Sequence, residues 1–348
     1  MLVLRSLAFV IGCALLASCG GGDSSSTPPS TGGGGGGGGT PTPSPSPSPS
    51  PTPTYQTVAQ LTGDQRFATS CAFFNFSRQI SPNFRADSVF MFAEQAELRF
   101  TAGNSTWSFV ETAQTNPADQ RTFTFGPADL VASPPANTVL YRRAAGAGQL
   151  GLALRNGQQS GFTTDYLRVV SLTEIASLAL PDPDRSDRLC VYGVPMVAAD
   201  TFPAGTTSYN SINVAGTATL MNSAQRVATY SLRDSTATFA VNGAAGTVSM
   251  TIQLVGREIL ADGTLAATTT PLPALTAGTG NITNAGTPGL KVFDGNFTTG
   301  GFQELTSGFA GAFFGPQGSE AGFSFRTKPL TGTPNEGLEI AGVVIARR

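Results

Sequence analysis

From residue 247 to 254 the chain reads Thr-Val-Ser-Met-Thr-Ile-Gln-Leu, four polar residues alternating without a break with four apolar ones. A period of two puts the sets on opposite faces of an extended strand, one for a core and one for water, and fits no helix. Just before it, Asn242-Gly243-Ala244-Ala245-Gly246 supplies residues that accept positive φ, and residues 236–241 are another β-rich run, so the two predict a hairpin. Similar runs follow at 212–220, 228–232, 290–297, 309–314, 321–325 and 338–345, about eight in all. Short strands separated by Gly, Asn and Asp turns, with no long helical period between them, predict an antiparallel sheet that closes to remove its edges, an up-and-down barrel.

The segment before Pro203 is less regular, but 96–101, 106–110, 122–125, 150–154 and 166–171 read as strands, and 172–180 has the spacing of a helix. The fold class expected is all-β, with a smaller β region over 55–204 and a barrel over 205–348.

The first 54 residues are expected to stand apart from the folded part. Residues 1–18 hold one charge, Arg5, and an apolar stretch too short for a permanent membrane helix, which predicts an export signal. It ends in Leu16-Ala17-Ser18-Cys19, the pattern of a lipobox, so Cys19 is expected to carry lipid in place of a peptide anchor. Gly at position 20, where Asp tends to hold lipoproteins in the inner membrane, favours the outer membrane. Residues 19–54 contain eight consecutive glycines, Gly32 to Gly39, then a proline alternation from Pro41 to Pro53. The glycines form a flexible coil, and the Thr/Ser-Pro half favours polyproline II and reaches roughly 40 Å at about 3.1 Å per residue. Together they form a disordered tether.

Four cysteines remain to be sorted. Cys13 leaves with the signal and Cys19 is lipidated, leaving Cys71 and Cys190 as an even pair in an oxidising compartment. A bond between them would close a loop of about 120 residues and contribute roughly 4–5 kcal/mol in the chain-entropy model. The alternative is two separate buried thiols.

With 20 basic against 22 acidic residues, only two lysines, and Arg142-Arg143 and Arg347-Arg348 as the basic doublets, no stripe suits nucleic acid. The chain has no histidine, which removes a Ser-His-Asp triad and His-ligated zinc or haem. Gly146-Ala147-Gly148-Gln149-Leu150-Gly151 matches a dinucleotide fingerprint as a string, but Leu152 to Leu154 and an Asn156-Gly157 turn follow where a helix should begin. Glu94 and Glu97 are better read as surface carboxylates near Arg99 than as a catalytic pair. Asp182, Asp184 and Asp187, interrupted by Arg185 and Arg188, are better read as a solvated loop than as a calcium site. No catalytic residue, metal or cofactor is assigned, and the chain is expected not to be an enzyme. Phe73, Phe74 and Phe76 cannot all face one side of a strand, so at least one should point away from its own region's core, either to pack against another region or to form a binding surface.

The stretch Gly308-Phe309-Ala310-Gly311-Ala312-Phe313-Phe314-Gly315-Pro316-Gln317-Gly318-Ser319-Glu320-Ala321-Gly322-Phe323-Ser324-Phe325 resembles the signature near the end of the β-barrel of transferrin-binding protein B and related surface lipoproteins. Tyr192-Gly193-Val194-Pro195, residues 205–209 and Gly216-Thr217-Ala218 resemble the entry to that barrel in the smaller relatives. Read unaided, Gly315 and Pro316 form a tight turn, Phe309 and Phe313 share the core face, and Glu320 accepts backbone hydrogens in the turn. The resemblance, over about 140 residues, implies an eight-stranded C-terminal barrel beside a handle-like β region, displayed on the outer surface with the help of a surface-export partner. It transfers no ligand, because relatives bind transferrin, factor H or haem carriers through loops and handle. The function expected is non-enzymatic binding of a solute, an iron or haem complex or a protein partner, with a TonB-dependent receptor as a candidate recipient. The alternative is a structural or adhesive surface lipoprotein.

Overall fold

The computed structural model describes residues 54–77, 83–90, 92, 96–111, 120–159, 161–179, 184–222, 225–260, 263–277, 280–285, 289–299, 305–329 and 337–348. The export signal, Cys19 and the tether up to Pro53 lie outside the described residues, as do Glu94 and Asp182.

The first sheet is built from β1 (Gln65–Ser77), β2 (Asn83–Phe90), β3 (Ala96–Thr101), β4 (Thr106–Glu111), β5 (Arg121–Phe125), β6 (Thr138–Ala145) and β7 (Gly148–Arg155). The two-residue strands β8 (Gln158–Gln159) and β9 (Phe162–Thr163) pair only with each other, and β10 (Leu167–Ile175) and β11 (Arg185–Gly193) complete the sheet. Its order is β5-β4-β3-β1-β11-β10-β7-β6, with β2 also on β1 and every pairing antiparallel. In β7 the alternation is clean, with Leu150, Leu152 and Leu154 turned inward to Phe109, Phe125 and Leu172. The sheet curls so that Arg143 of β6 lies over the Phe125 ring of β5 at 5.6 Å. Cys71 and Cys190 face each other in the β1/β11 register, with Cα atoms 4.0 Å apart, and are bonded.

The helical spacing over 172–180 does not produce a helix. Residues through Ile175 pair with β7 on one side and β11 on the other, and Thr173 donates its hydroxyl hydrogen to Asp187 at 2.6 Å. Leu178, which a helix would turn toward the core, is 58% exposed in the turn that follows. Sheet neighbours on both sides override a local apolar spacing.

The second sheet comprises β12 (Thr206–Tyr209), β13 (Ser211–Asn222), β14 (Gln225–Ser231), β15 (Thr236–Asn242), β16 (Thr247–Gln253), β17 (Val255–Ile259) and β18 (Leu265–Pro271). It continues with β19 (Leu275–Ala277), β20 (Gly280–Ala285), β21 (Leu290–Gly295), β22 (Phe297–Thr299), β23 (Leu305–Phe314), β24 (Glu320–Pro329) and β25 (Gly337–Arg347). These 14 segments fall into eight runs, because β12–β13, β14–β15, β16–β17, β18–β20 and β21–β22 are each one strand broken by a bend. The last run returns to the first: β25 pairs with β13 from Ser211↔Arg347 to Met221↔Gly337, while β12 pairs with β15. The result is the expected eight-stranded antiparallel barrel, all-β like the rest of the described residues. Strands β17 to β20, over 255–285, were not legible as strands in the sequence.

Phenylalanines fill the barrel. Phe239, Phe293, Phe309, Phe313, Phe323 and Phe325 converge inside with Met250 and Ile252, in tilted and edge-on pairs 4.8–6.3 Å between ring centres. Met196, in the link before β12, closes one end of this core. The two sheets belong to one compact unit, Pro51–Arg348.

Candidate functional site

The motif residues at 308–325 lie where the two sheets meet. Alternation along β23 sends Phe309 and Phe313 into the barrel and Phe314 outward, where it meets Phe92 edge-on at 5.7 Å. Outside the barrel, Phe314, Ala312, Val343 and Ile345 pack on Leu167, Val169 and Val191 of β10 and β11. Gly315 sits at φ +67°, and a Cβ there would come within 2.3 Å of the Tyr166 ring. Gly322 is needed for a different reason: a Cβ would come 2.9 Å from Leu167, so its lack of a side chain sets how closely β10 approaches the barrel wall. Deeper in the seam, the Ser70 hydroxyl donates to the Ala310 carbonyl at 2.6 Å and lies 2.7 Å from the Ser324 hydroxyl.

Glu320 departs from the sequence reading in an informative way. Its carboxylate accepts two backbone N–H groups, but those of Asp165 (2.6 Å) and Tyr166 (3.0 Å) in the first region, not those of its own turn. Burial pushes the carboxyl above its ordinary value, against the downward pull of the two N–H donors. The motif that reads as a turn is therefore a weld between handle and barrel.

The same corner receives the start of the described chain. The Tyr55 phenol donates to Asp200 (3.1 Å) and accepts from the Val197 N–H (3.1 Å), while its ring meets Tyr166 edge-on at 6.2 Å. Burial, aided by the Asp200 charge, raises this phenol to about 12, so it remains a donor at neutral pH. Asp200 also accepts the Gln317 N–H at 2.7 Å, which ties Tyr55 to the turn after β23. The C-terminal end of β25 is here too, with Asn210 donating to the Arg347 carbonyl. Residue 55 thus enters at one pole of the barrel, and the β13/β14, β17/β18, β22/β23 and β24/β25 connections mark the other. Parts of those connections lie outside the described residues.

The remaining sequence candidates have plain structural roles. Glu97 is held by Arg66 at 2.5 Å and Arg99 at 2.6 Å; burial lifts its carboxyl, but these guanidinium bonds win and hold it below its ordinary value. Gly146 and Ala147 form the two-residue turn of the β6/β7 hairpin, with Ala145 opposite Gly148, so no helix follows them. Asp187 pairs with Arg185 at 2.6 Å. Phe74 is buried against Ala341 of the barrel, the cross-region packing expected of that phenylalanine cluster.

Arg188 is the residue that sequence reasoning placed wrongly, as part of a solvated loop. It is 1% exposed, its guanidinium donates to both oxygens of Glu111 at 2.5 and 3.2 Å, and it covers the Phe73 ring at 4.2 Å. A buried arginine needs such a bidentate carboxylate, and this one arrives from 77 residues away.

A scan against protein-family models finds no match, and a search of the curated proteins finds none. Among solved structures the chain is similar in fold to transferrin-binding protein B. A double mutant of that protein from Haemophilus parasuis is 14% identical, with 75% of this chain and 55% of that chain covered and a TM-score of 0.36. The intact protein with N and C lobes gives 12%, 75%, 56% and 0.37, and the isotype 1 protein from serogroup B Neisseria meningitidis gives 12%, 82%, 77% and 0.31. This chain spans about half the length of the Haemophilus parasuis protein.

Proposed function

We propose that this chain is a non-enzymatic binding protein, anchored in the outer membrane through lipid on Cys19 and held at the cell surface by its Gly/Pro tether. The observation that carries the reading is the docking of Tyr55 at one pole of a barrel whose interior is already filled with side chains. A filled barrel holds no solute in the manner of a lipocalin, so a partner meets the outside of the molecule. The partner is proposed to meet the pole opposite residue 55. The region boundaries proposed are 1–18 for the signal, 19–54 for the tether, 55–204 for the handle and 205–348 for the barrel. The partner is a solute, an iron or haem complex or a protein, passed on to a TonB-dependent receptor, and a dedicated exporter carries the chain outward.

Three measurements test this. Cys19→Ala is expected to move the protein from the membrane fraction to the soluble fraction; retention in the membrane refutes lipid anchoring. A protease added to intact cells is expected to cleave the tether of the wild-type protein, and full protection refutes surface display. Capture with the purified chain from iron-starved and iron-replete medium, read by mass spectrometry and metal analysis, identifies the partner. An empty capture in both favours the structural or adhesive reading.

A further inference from the structure

Away from the weld, the seam between the first sheet and β13 opens into two adjoining clefts of about 320 and 560 Å³, both within the range of small-molecule sites. Arg185 and Arg188 of β11 line the first, opposite Thr217 and Ser231. Asn137, Gln158 and Asn213 line the second. Arg155, Ala215 and Arg233 belong to both and mark the divide between them.

The lining holds four arginines and one carboxylate, Asp187, in a chain of which only 12% is charged. Two of the arginines are committed, Arg188 to Glu111 and Glu174 and Arg185 to Asp187. The carboxylate nearest Arg233 is Asp234 at 3.9 Å, and Arg257 already holds that group at 2.7 Å. The Arg155 guanidinium has no hydrogen bond or ion pair among the described residues, although its backbone pairs with Thr138 and Val169. Arg155 and Arg233 both reach solvent, the Arg233 side chain at 58% exposure, and both stay charged at every relevant pH, while the protein around Arg155 draws its pKa down. Two solvent-reaching cations with no close carboxylate of their own, lining clefts whose other polar groups are hydroxyls and amides, form an arrangement that an anion can complete.

We infer that the seam binds a small polyanion with at least two carboxylate or phosphate groups, which engage Arg155 and Arg233 from either side of the divide. The hydroxyls of Thr217 and Ser231 and the amides of Asn137, Gln158 and Asn213 would bond the uncharged part of the ligand. The inference does not depend on surface display or on the partner at the far pole, because it rests on the seam alone.

The test is calorimetric titration of the full chain in detergent at low salt with citrate, pyrophosphate and neutral glucose, alongside melting curves. Saturable binding of at least one anion is expected, weakened by added salt. Arg155→Gln and Arg233→Gln should each weaken it by about tenfold, and Arg66→Gln, outside the clefts, should leave it unchanged. Arg155→Lys, which keeps the charge but loses the fork, should fall between wild type and Arg155→Gln. Tighter citrate assigns the site to carboxylates and tighter pyrophosphate to phosphates; either supports the inference. It is overturned if the folded chain binds neither anion at millimolar concentration, binds glucose as well as it binds the anions, or binds equally after Arg155→Gln/Arg233→Gln. Should the double variant melt early, the ordering of wild type, Arg155→Lys and Arg155→Gln decides instead.

Discussion

Along β15 and β16 the barrel wall alternates, with Phe239, Val241, Val248, Met250 and Ile252 buried and the residues between them half-buried or exposed. Along β25, nine consecutive residues are buried, and β23 and β24 are nearly as enclosed because the first sheet covers their outer face. The inner sets of the two walls are alike, large and apolar. The outer sets differ: mostly Thr and Ser on the open wall, and on the covered one Ala, Gly and Ser at positions 310, 312, 322, 324 and 341 beside the larger Phe314, Val343 and Ile345. An open wall constrains every second residue. A covered wall constrains all of them, and asks for small residues where two backbones approach.

The interior is where this comparison should break hardest. Phe323→Ala is expected to cost about 3–5 kcal/mol in denaturant unfolding, since the ring is fully buried among five others. A loss below about 1 kcal/mol would contradict a filled barrel. On the outer faces, Gly322→Ala should cost about 1–3 kcal/mol by forcing Leu167 away, while Thr251→Ala on the open wall should change stability by less than about 0.5 kcal/mol. Equal costs for the two would remove the distinction between the walls.

The smallest effect is one of slope. The folded Glu320 carboxyl lies above its ordinary value of 4.5, so the folded chain holds a proton that the unfolded chain releases. Its contribution to stability is present at low pH and is lost as pH rises from the ordinary carboxyl value through the folded one. Glu320→Gln removes that component, so its melting temperature relative to wild type should rise across this window. Parallel curves would show that the carboxylate is held charged throughout.

The open wall was legible in the sequence because water on one face writes alternation into the chain, as at 247–254. The covered wall was legible through a motif, but not its purpose, because a turn and a docking surface use the same Gly and Pro. What was not legible depended on distant partners. Residues 265–271 are half-buried or exposed throughout, so β18 carries no apolar period. Arg185, Asp187 and Arg188 look like a solvated loop until Glu111 is brought beside Arg188. The seam clefts were hidden for the same reason: Arg155 ends a strand, Arg233 lies in the turn between β14 and β15, and the two come to line the same clefts only through the packing of two sheets.

The bond between Cys71 and Cys190 also has a mechanical consequence. Tension on the N-terminal end of the chain would enter at Tyr55 and run into β1, and six residues into that strand it reaches a covalent bridge to β11. From β11 the chain leads directly to the barrel. The 119-residue separation between the two cysteines is thereby short-circuited, and the strands from β2 to β10 are shielded from load as long as the bridge is oxidised. Reduction would return that whole segment to the line of force.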